Sequence, residues 1–184
     1  FYKLAKKVGI KPIIGVEGYV ANRSRLDKDP GIDNKRYHLT LLAKNLQGYK
    51  NLMKLVTFSH LEGFYYKPRM DKEILRKYSE GIIALSGCLG GELARSLANK
   101  NEESAIKIIK EHQEIFGKEN YFLEIMKHGT VEGGEEVRAG IIKLSKQLNI
   151  PLVATIDSHY PCSEDNKAHD TLLAIQTNSD IKDE

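Results

Sequence analysis

This 184-residue chain is poor in cysteine, with only Cys88 and Cys162. Two thiols give no disulfide framework, so a reducing, intracellular setting is expected. Long apolar runs are missing too: none approaches the ~20 residues a bilayer span needs, and no secretory leader opens the chain. Charge of one sign is not in excess. The net charge of +3 permits a nucleic-acid partner without arguing for one. Internal repeats and low-complexity tracts are absent. There is no initiator Met and no N-cap ahead of Phe1–Val8, which reads as the second half of an amphipathic helix stopping at Gly9. Asp180–Glu184 likewise ends without a terminator, so a piece of a longer protein is expected.

What is present is ordinary for a globular protein: 41% apolar and 29% charged residues, enough for one domain over 1–184 with a sizeable core. Apolar, β-branched runs predict strands at Pro12–Glu17, Tyr37–Ala43, Ile82–Ser86, Tyr121–Met126 and from Ile150 to His159. Helices are predicted between them. Gly48–Gly63 carries Tyr49, Leu52, Met53 and Val56 at helical spacing, and Asp71–Lys77 is capped by Asp71. Glu92–Ala98, Glu102–Phe116, Glu135–Leu148 and Ser163–Gln176 follow, while Asn22–Arg36 and Phe64–Arg69 read as loops. Alternating strands and helices imply an α/β fold with parallel pairing.

The stretch Ala154–Tyr160 draws the chemistry together. In a strand, Asp157 and His159 project from one face while Ile156 and Ser158 project from the other. A carboxylate beside an imidazole suits zinc or manganese. It equally describes a turn cap next to a surface histidine. In parallel α/β folds function gathers at the carboxyl ends of strands. That rim would collect Glu17, Cys88, Glu124 with His128, and the Asp157/His159 pair. Each has an ordinary alternative: a surface carboxylate for Glu17, a small buried hydrophobe for Cys88, a polar loop residue for His128. His38 opens its strand, which in a regular parallel sheet puts it on the opposite rim.

Weaker signals remain. His112 and His60 fall at helical spacing from apolar residues and read as core histidines; His169 reads equally well as solvated. Cys162, three residues past His159, forms a weak chelating pair with it. Gly90-Gly91 before a helix offers backbone N–H groups as a phosphate cradle. Tyr65–Arg69 mixes aromatic and basic residues as a single-strand nucleic-acid contact does.

Five stretches carry a resemblance over nearly the whole chain: Gly9–Val20 (GIKPIIGVEGYV), Asn34–Leu52 (NKRYHLTLLAKNLQGYKNL), Glu62–Asp71 (EGFYYKPRMD), Glu80–Glu92 (EGIIALSGCLGGE) and Ile150–Tyr160 (IPLVATIDSHY). With them the sequence resembles the PHP (polymerase and histidinol phosphatase) domains at the amino terminus of bacterial replicative DNA polymerase III alpha subunits. The resemblance implies a distorted (β/α) barrel, here missing its first strands, with up to three divalent ions, zinc or manganese, at the carboxyl rim. It places metal ligands on Glu17, His38, Cys88, Asp157 and His159, the last two also catalytic. Glu124, His128 and His60 are left as supporting or substrate-side residues.

The implied activity is metal-assisted phosphodiester hydrolysis of the 3′–5′ exonuclease type. The implied setting is cytoplasmic DNA replication, with polymerisation on magnesium downstream and DNA, a sliding clamp and a proofreading subunit as partners. Two departures stand out. The family's opening His-x-His and its later Asp-His-Gly turn are missing, and Ile156 occupies a position where the family usually has Asn. A module that braces the polymerase without catalysis is the competing reading; a free-standing phosphatase of small esters fits the motif strings less well.

Overall fold

The computed structural model describes residues 1–127 and 131–180. In chain order the elements are α1 (Tyr2–Lys7), β1 (Gly15–Ala21), β2 (Arg36–Ala43), α2 (Leu46–Leu61), β3 (Phe64–Tyr65), β4 (Lys67–Met70), α3 (Lys72–Lys77) and β5 (Ile82–Leu85). They continue with α4 (Glu92–Ala98), α5 (Glu102–Phe116), β6 (Tyr121–Ile125), α6 (Gly134–Leu148), β7 (Leu152–Ala154) and α7 (Asn166–Thr177). The chain divides into two units, Phe1–Ala154 and Thr155–Glu184, each taken separately below.

Helix starts follow the side chains able to cap them. Asn45 accepts a hydrogen bond from Gly48 N at 2.9 Å, Asp71 from Ile74 N at 3.1 Å and Asn101 from Ser104 N at 2.9 Å. The face buried by α2 is Gly48, Asn51, Leu52, Leu55 and Ser59, so the Tyr49–Met53 side of the expected stripe is exposed instead. Gly48 explains the rotation. A Cβ there would lie 1.8 Å from the Gly81 carbonyl oxygen, so this helix meets the Gly81 turn backbone to backbone. His60, on the other side, is exposed rather than core.

The fold is mixed α/β, as expected, and its sheet is open, with order β3-β4-β1-β2-β5-β6-β7. Pairing departs from the all-parallel expectation. β1 with β4, β5 with β6 and β6 with β7 are parallel, but β2 runs antiparallel to both β1 and β5. The short β3–β4 hairpin replaces the loop expected at Phe64–Arg69. The β1-to-β2 connection contains no helix, so nothing carries the chain back across the sheet before β2 begins.

The core lies where the sheet meets its helices. It contains Val20, Leu39 and Leu41 from β1 and β2, Leu52 and Leu55 from α2, and Ile109, Leu123, Ile141 and Leu144 further along. Burying each such side chain stabilises by about 1.5–3 kcal/mol. His112 sits among them, 2% exposed, with Nδ1 2.9 Å from the Ile108 carbonyl and its ring stacked on Tyr121 and Phe116. Burial pushes its imidazole below the ordinary value, against the opposing effect of that hydrogen bond. In the second unit, α7 buries none of its residues.

Candidate metal centre

Strand register builds the first half of the site. In the β1–β2 ladder Tyr19 pairs with His38 and Glu17 with Thr40. Alternation then places Glu17, Tyr19, His38 and Thr40 on one face of the sheet, opposite the core residues Val20, Leu39 and Leu41. Glu17 is the third residue of its strand, not the last, because β1 runs on to Ala21. Antiparallel β2 also resolves the position of His38. Its first residues lie beside the carboxyl end of β1 and point toward that of β5, so it belongs to the functional rim after all.

The loop after β5 brings the thiol. Gly87 has φ +85, and a Cβ on it would sit 2.5 Å from the His38 carbonyl oxygen; only glycine fits this turn and this approach. His38 N donates to Gly90 O at 3.0 Å, making the loop a short extension of β2. Gly90 lies flat against the imidazole, where a Cβ would be 3.1 Å from the ring. Glu124, buried in β6, anchors the loop from below: its Oε2 accepts from Gly87 N at 3.0 Å and from Thr40 Oγ1 at 3.2 Å. Ser86 Oγ accepts from Glu124 N at 2.8 Å. Glu124 therefore supports the loop that carries Cys88.

The result is a compact donor set. His38 Nδ1 lies 2.6 Å from Glu17 Oε1 and 3.3 Å from Cys88 Sγ. One ligand atom each from Glu17, His38 and Cys88 falls within 4.8 Å of the others, the one such group among the described residues. Carboxylate oxygen, imidazole nitrogen and thiolate sulfur suit a borderline cation such as zinc. Gly90 N–H points at the sulfur at 3.4 Å. The residues present thus fit a divalent metal ion.

Asp157 and His159 belong to the second unit. β7 ends at Ala154, so strand alternation does not orient them. They are nonetheless neighbours, with His159 Nδ1 2.9 Å from the Asp157 carbonyl oxygen and 3.8 Å from its carboxylate. The His159 ring packs edge-on against His169, 5.4 Å between centroids. Ile156 is 87% exposed. His128 lies outside the described residues.

Two other expectations change. Both N–H groups of Gly90 and Gly91 are engaged by Cys88, through its sulfur and its carbonyl, so they form no phosphate cradle. Arg69, expected in a nucleic-acid loop, is fully buried. Its guanidinium donates to the carbonyl oxygens of Gly63, Asp33, Arg25 and Asp27 at 2.8–3.0 Å. It fastens the Asn22–Arg36 connection, where Arg23 in turn holds the Asp33 carboxyl below the usual carboxylate range. Sequence pattern alone had no signal for Glu124 as loop anchor, because its partners are 37 and 84 residues away.

Comparison with known proteins gives the family. The PHP domain family matches residues 1–128. The chain is 47% identical to the DNA polymerase III subunit alpha of Borreliella burgdorferi, over all of this chain and 16% of that protein. It is 44% identical to that of Thermus aquaticus, over all of this chain and 15% of the relative, and 40% identical to that of Helicobacter pylori, over all of it and 16%. The chain thus spans about one sixth of the length of these relatives. Carrying the family's match across more than half its length, this chain belongs to the PHP domain family.

Proposed function

We propose that this chain is the PHP domain of a bacterial replicative DNA polymerase III alpha subunit and acts as a metal-dependent phosphodiesterase of the 3′–5′ exonuclease type. The observation that carries the reading is the convergence of Glu17, His38 and Cys88 within 4.8 Å on the rim of the sheet. A domain that only braced a polymerase would have no need of a thiol, an imidazole and a carboxylate held at one point. For Asp157 and His159 as further ligands, the support is the sequence resemblance. DNA is the substrate, the setting is the cytoplasm, and a sliding clamp and a proofreading subunit are the partners in this reading. No helix among the described residues is long and apolar enough to cross a membrane.

The bound cations, zinc or manganese, would polarise a phosphoryl oxygen and activate a water at neutral pH. The chain's own residues prepare that chemistry. Glu17 and Cys88 turn to the same ring nitrogen of His38, Nδ1, which would be the atom offered to a cation. Gly90 against one side of the imidazole and Tyr19 edge-on at 5.2 Å limit how far the ring can turn. Glu124 keeps Gly87 in place and, through it, the thiol.

The test uses the full-length protein carrying this chain. Metal analysis should find bound zinc or manganese, and Cys88→Ala should lose at least one ion with a tenfold or greater loss of affinity. Asp157→Asn should abolish hydrolysis of a 3′ end without changing the melting temperature. A metal-free wild type, together with an Asp157→Asn protein as active as wild type, would leave the bracing role.

A further inference from the structure

Beside the donor set lies a depression of about 320 Å³ whose walls include Asn34, Lys35, Arg36, His38 and Arg95. We infer that Lys35, Arg36 and Arg95 form a subsite for a backbone phosphate of a single nucleic-acid strand, next to the phosphate that would face Glu17, His38 and Cys88. The inference rests on the phosphodiesterase reading above and names how its substrate is held.

Register ties the two places together. Arg36 and His38 are two residues apart in β2, on the same sheet face, with Ala21 and Tyr19 opposite them. The Arg36 guanidinium lies over the Tyr19 ring at 5.1 Å, and that ring packs edge-on against His38. Arg36 also donates to the Asn34 carbonyl at 3.0 Å. From α4, Arg95 lies over the Tyr37 ring at 5.5 Å. Aromatic faces thus hold both guanidinium groups and leave edge N–H donors for a ligand.

The other arginines of this region are satisfied. Arg23 pairs with Asp27, Asp29 and Asp33, Arg25 with Glu62, Asp71 and Glu73, and Arg69 with four carbonyls. Among the described residues, no carboxylate forms an ion pair with Lys35, Arg36 or Arg95. Three uncompensated cations around one polar depression call for an anion, and guanidinium groups match phosphate oxygens in pairs. His38 is shared between the depression and the donor set. A ligand filling both therefore carries phosphates in series, as a strand does and a nucleoside monophosphate does not.

The test is equilibrium binding of a fluorescent single-stranded oligothymidylate to the 184-residue chain, followed by anisotropy in EDTA at several salt concentrations. Arg36→Gln combined with Arg95→Gln should weaken binding roughly tenfold and flatten the salt slope by about 1.4, at ~0.7 per charge on a single strand. Lys146→Gln, an exposed cation on α6, should flatten it by no more than half as much. Thymidine monophosphate and inorganic phosphate should compete weakly; competition by either as strong as the oligonucleotide's would overturn the strand reading. An oligonucleotide affinity unchanged in the double variant would overturn the subsite. Arg36→Lys with Arg95→Lys, which keeps the charge, should restore the salt slope, and unchanged circular dichroism shows that each variant folds. Hydrolysis of a small chromogenic phosphodiester by the full-length protein reads the metal chemistry separately. It is read in the wild type and in Cys88→Ala, where it should be lost, so failure of the subsite and failure of the phosphodiesterase reading remain distinct.

Discussion

The two halves of the expected ligand set are built in different ways. Glu17, His38 and Cys88 are held by a β ladder, a glycine-bearing turn and a buried glutamate that reaches across three strands. Asp157 and His159 sit beyond β7, joined through a carbonyl two residues away and steadied by the His169 ring of the same unit. The unit Phe1–Ala154 contains the buried core, whereas α7 of the other unit buries no residue and exposes Leu172 and Ile175. The contrast separates a ligand position that the fold imposes from one fixed only by its immediate neighbours.

Hydrogen exchange should show the largest effect. Amides of β2 and β5, paired on both sides within the core sheet, should exchange only on global opening, about 5–15 kcal/mol above the native state. Amides of α7, with no buried face, should exchange through local opening at a small fraction of that cost. Equal protection of α7 and β5 in the 184-residue chain would erase the distinction.

A second experiment asks what holds the connection leading into β2. Replacing Arg69 with Ala strips four carbonyl oxygens of their donor and opens a cavity at a fully buried position. The expected cost is about 3–5 kcal/mol. Arg69→Lys should recover less than half, because one ammonium cannot reproduce a planar fork. His159→Ala, on an exposed side chain, should stay within ~0.5 kcal/mol. Urea midpoints read all three, and an Arg69→Ala protein as stable as wild type would mean that this connection is held elsewhere.

The same contrast explains what could be read in the sequence. Local patterns carried far: α4 and α5 lie at the expected bounds, Asp71 caps α3, and Val137, Ile141 and Leu144 face inward from α6. What failed depended on distant partners. Nothing near His38 says that β2 runs antiparallel, yet that direction decides its rim. Nothing near Arg69 reveals the carbonyls 36 to 44 residues away that draw it inside. The Gly48 side of α2 was hidden for the same reason, since its contact is the Gly81 backbone. Glu17 and Cys88 were legible as strand-end residues and His38 only through family likeness; the proximity of the three is a product of register, which spacing alone does not encode.

The smallest effect concerns pH, and it belongs to the first unit. His112 is buried and its imidazole lies below the ordinary 6.5 in the folded chain. As pH falls through about 6.5 the unfolded chain takes up a proton that the folded one refuses. The unfolded state then binds more protons, so stability falls with acid, by up to about 1.4 kcal/mol per pH unit, until the folded ring itself titrates. Lys72, Glu92 and Glu111 act on the ring as well, but Lys72 and Glu111 are paired with each other and keep their charges across this window. Asp33 and Glu111, both held below the carboxylate range, contribute only at lower pH. His112→Phe keeps a ring between Tyr121 and Phe116 and removes the titration. Its stability should therefore be flatter than wild type between roughly pH 6.5 and 5. Parallel wild-type and variant profiles across that window would mean that the ring takes up its proton in the folded core as readily as in the unfolded chain.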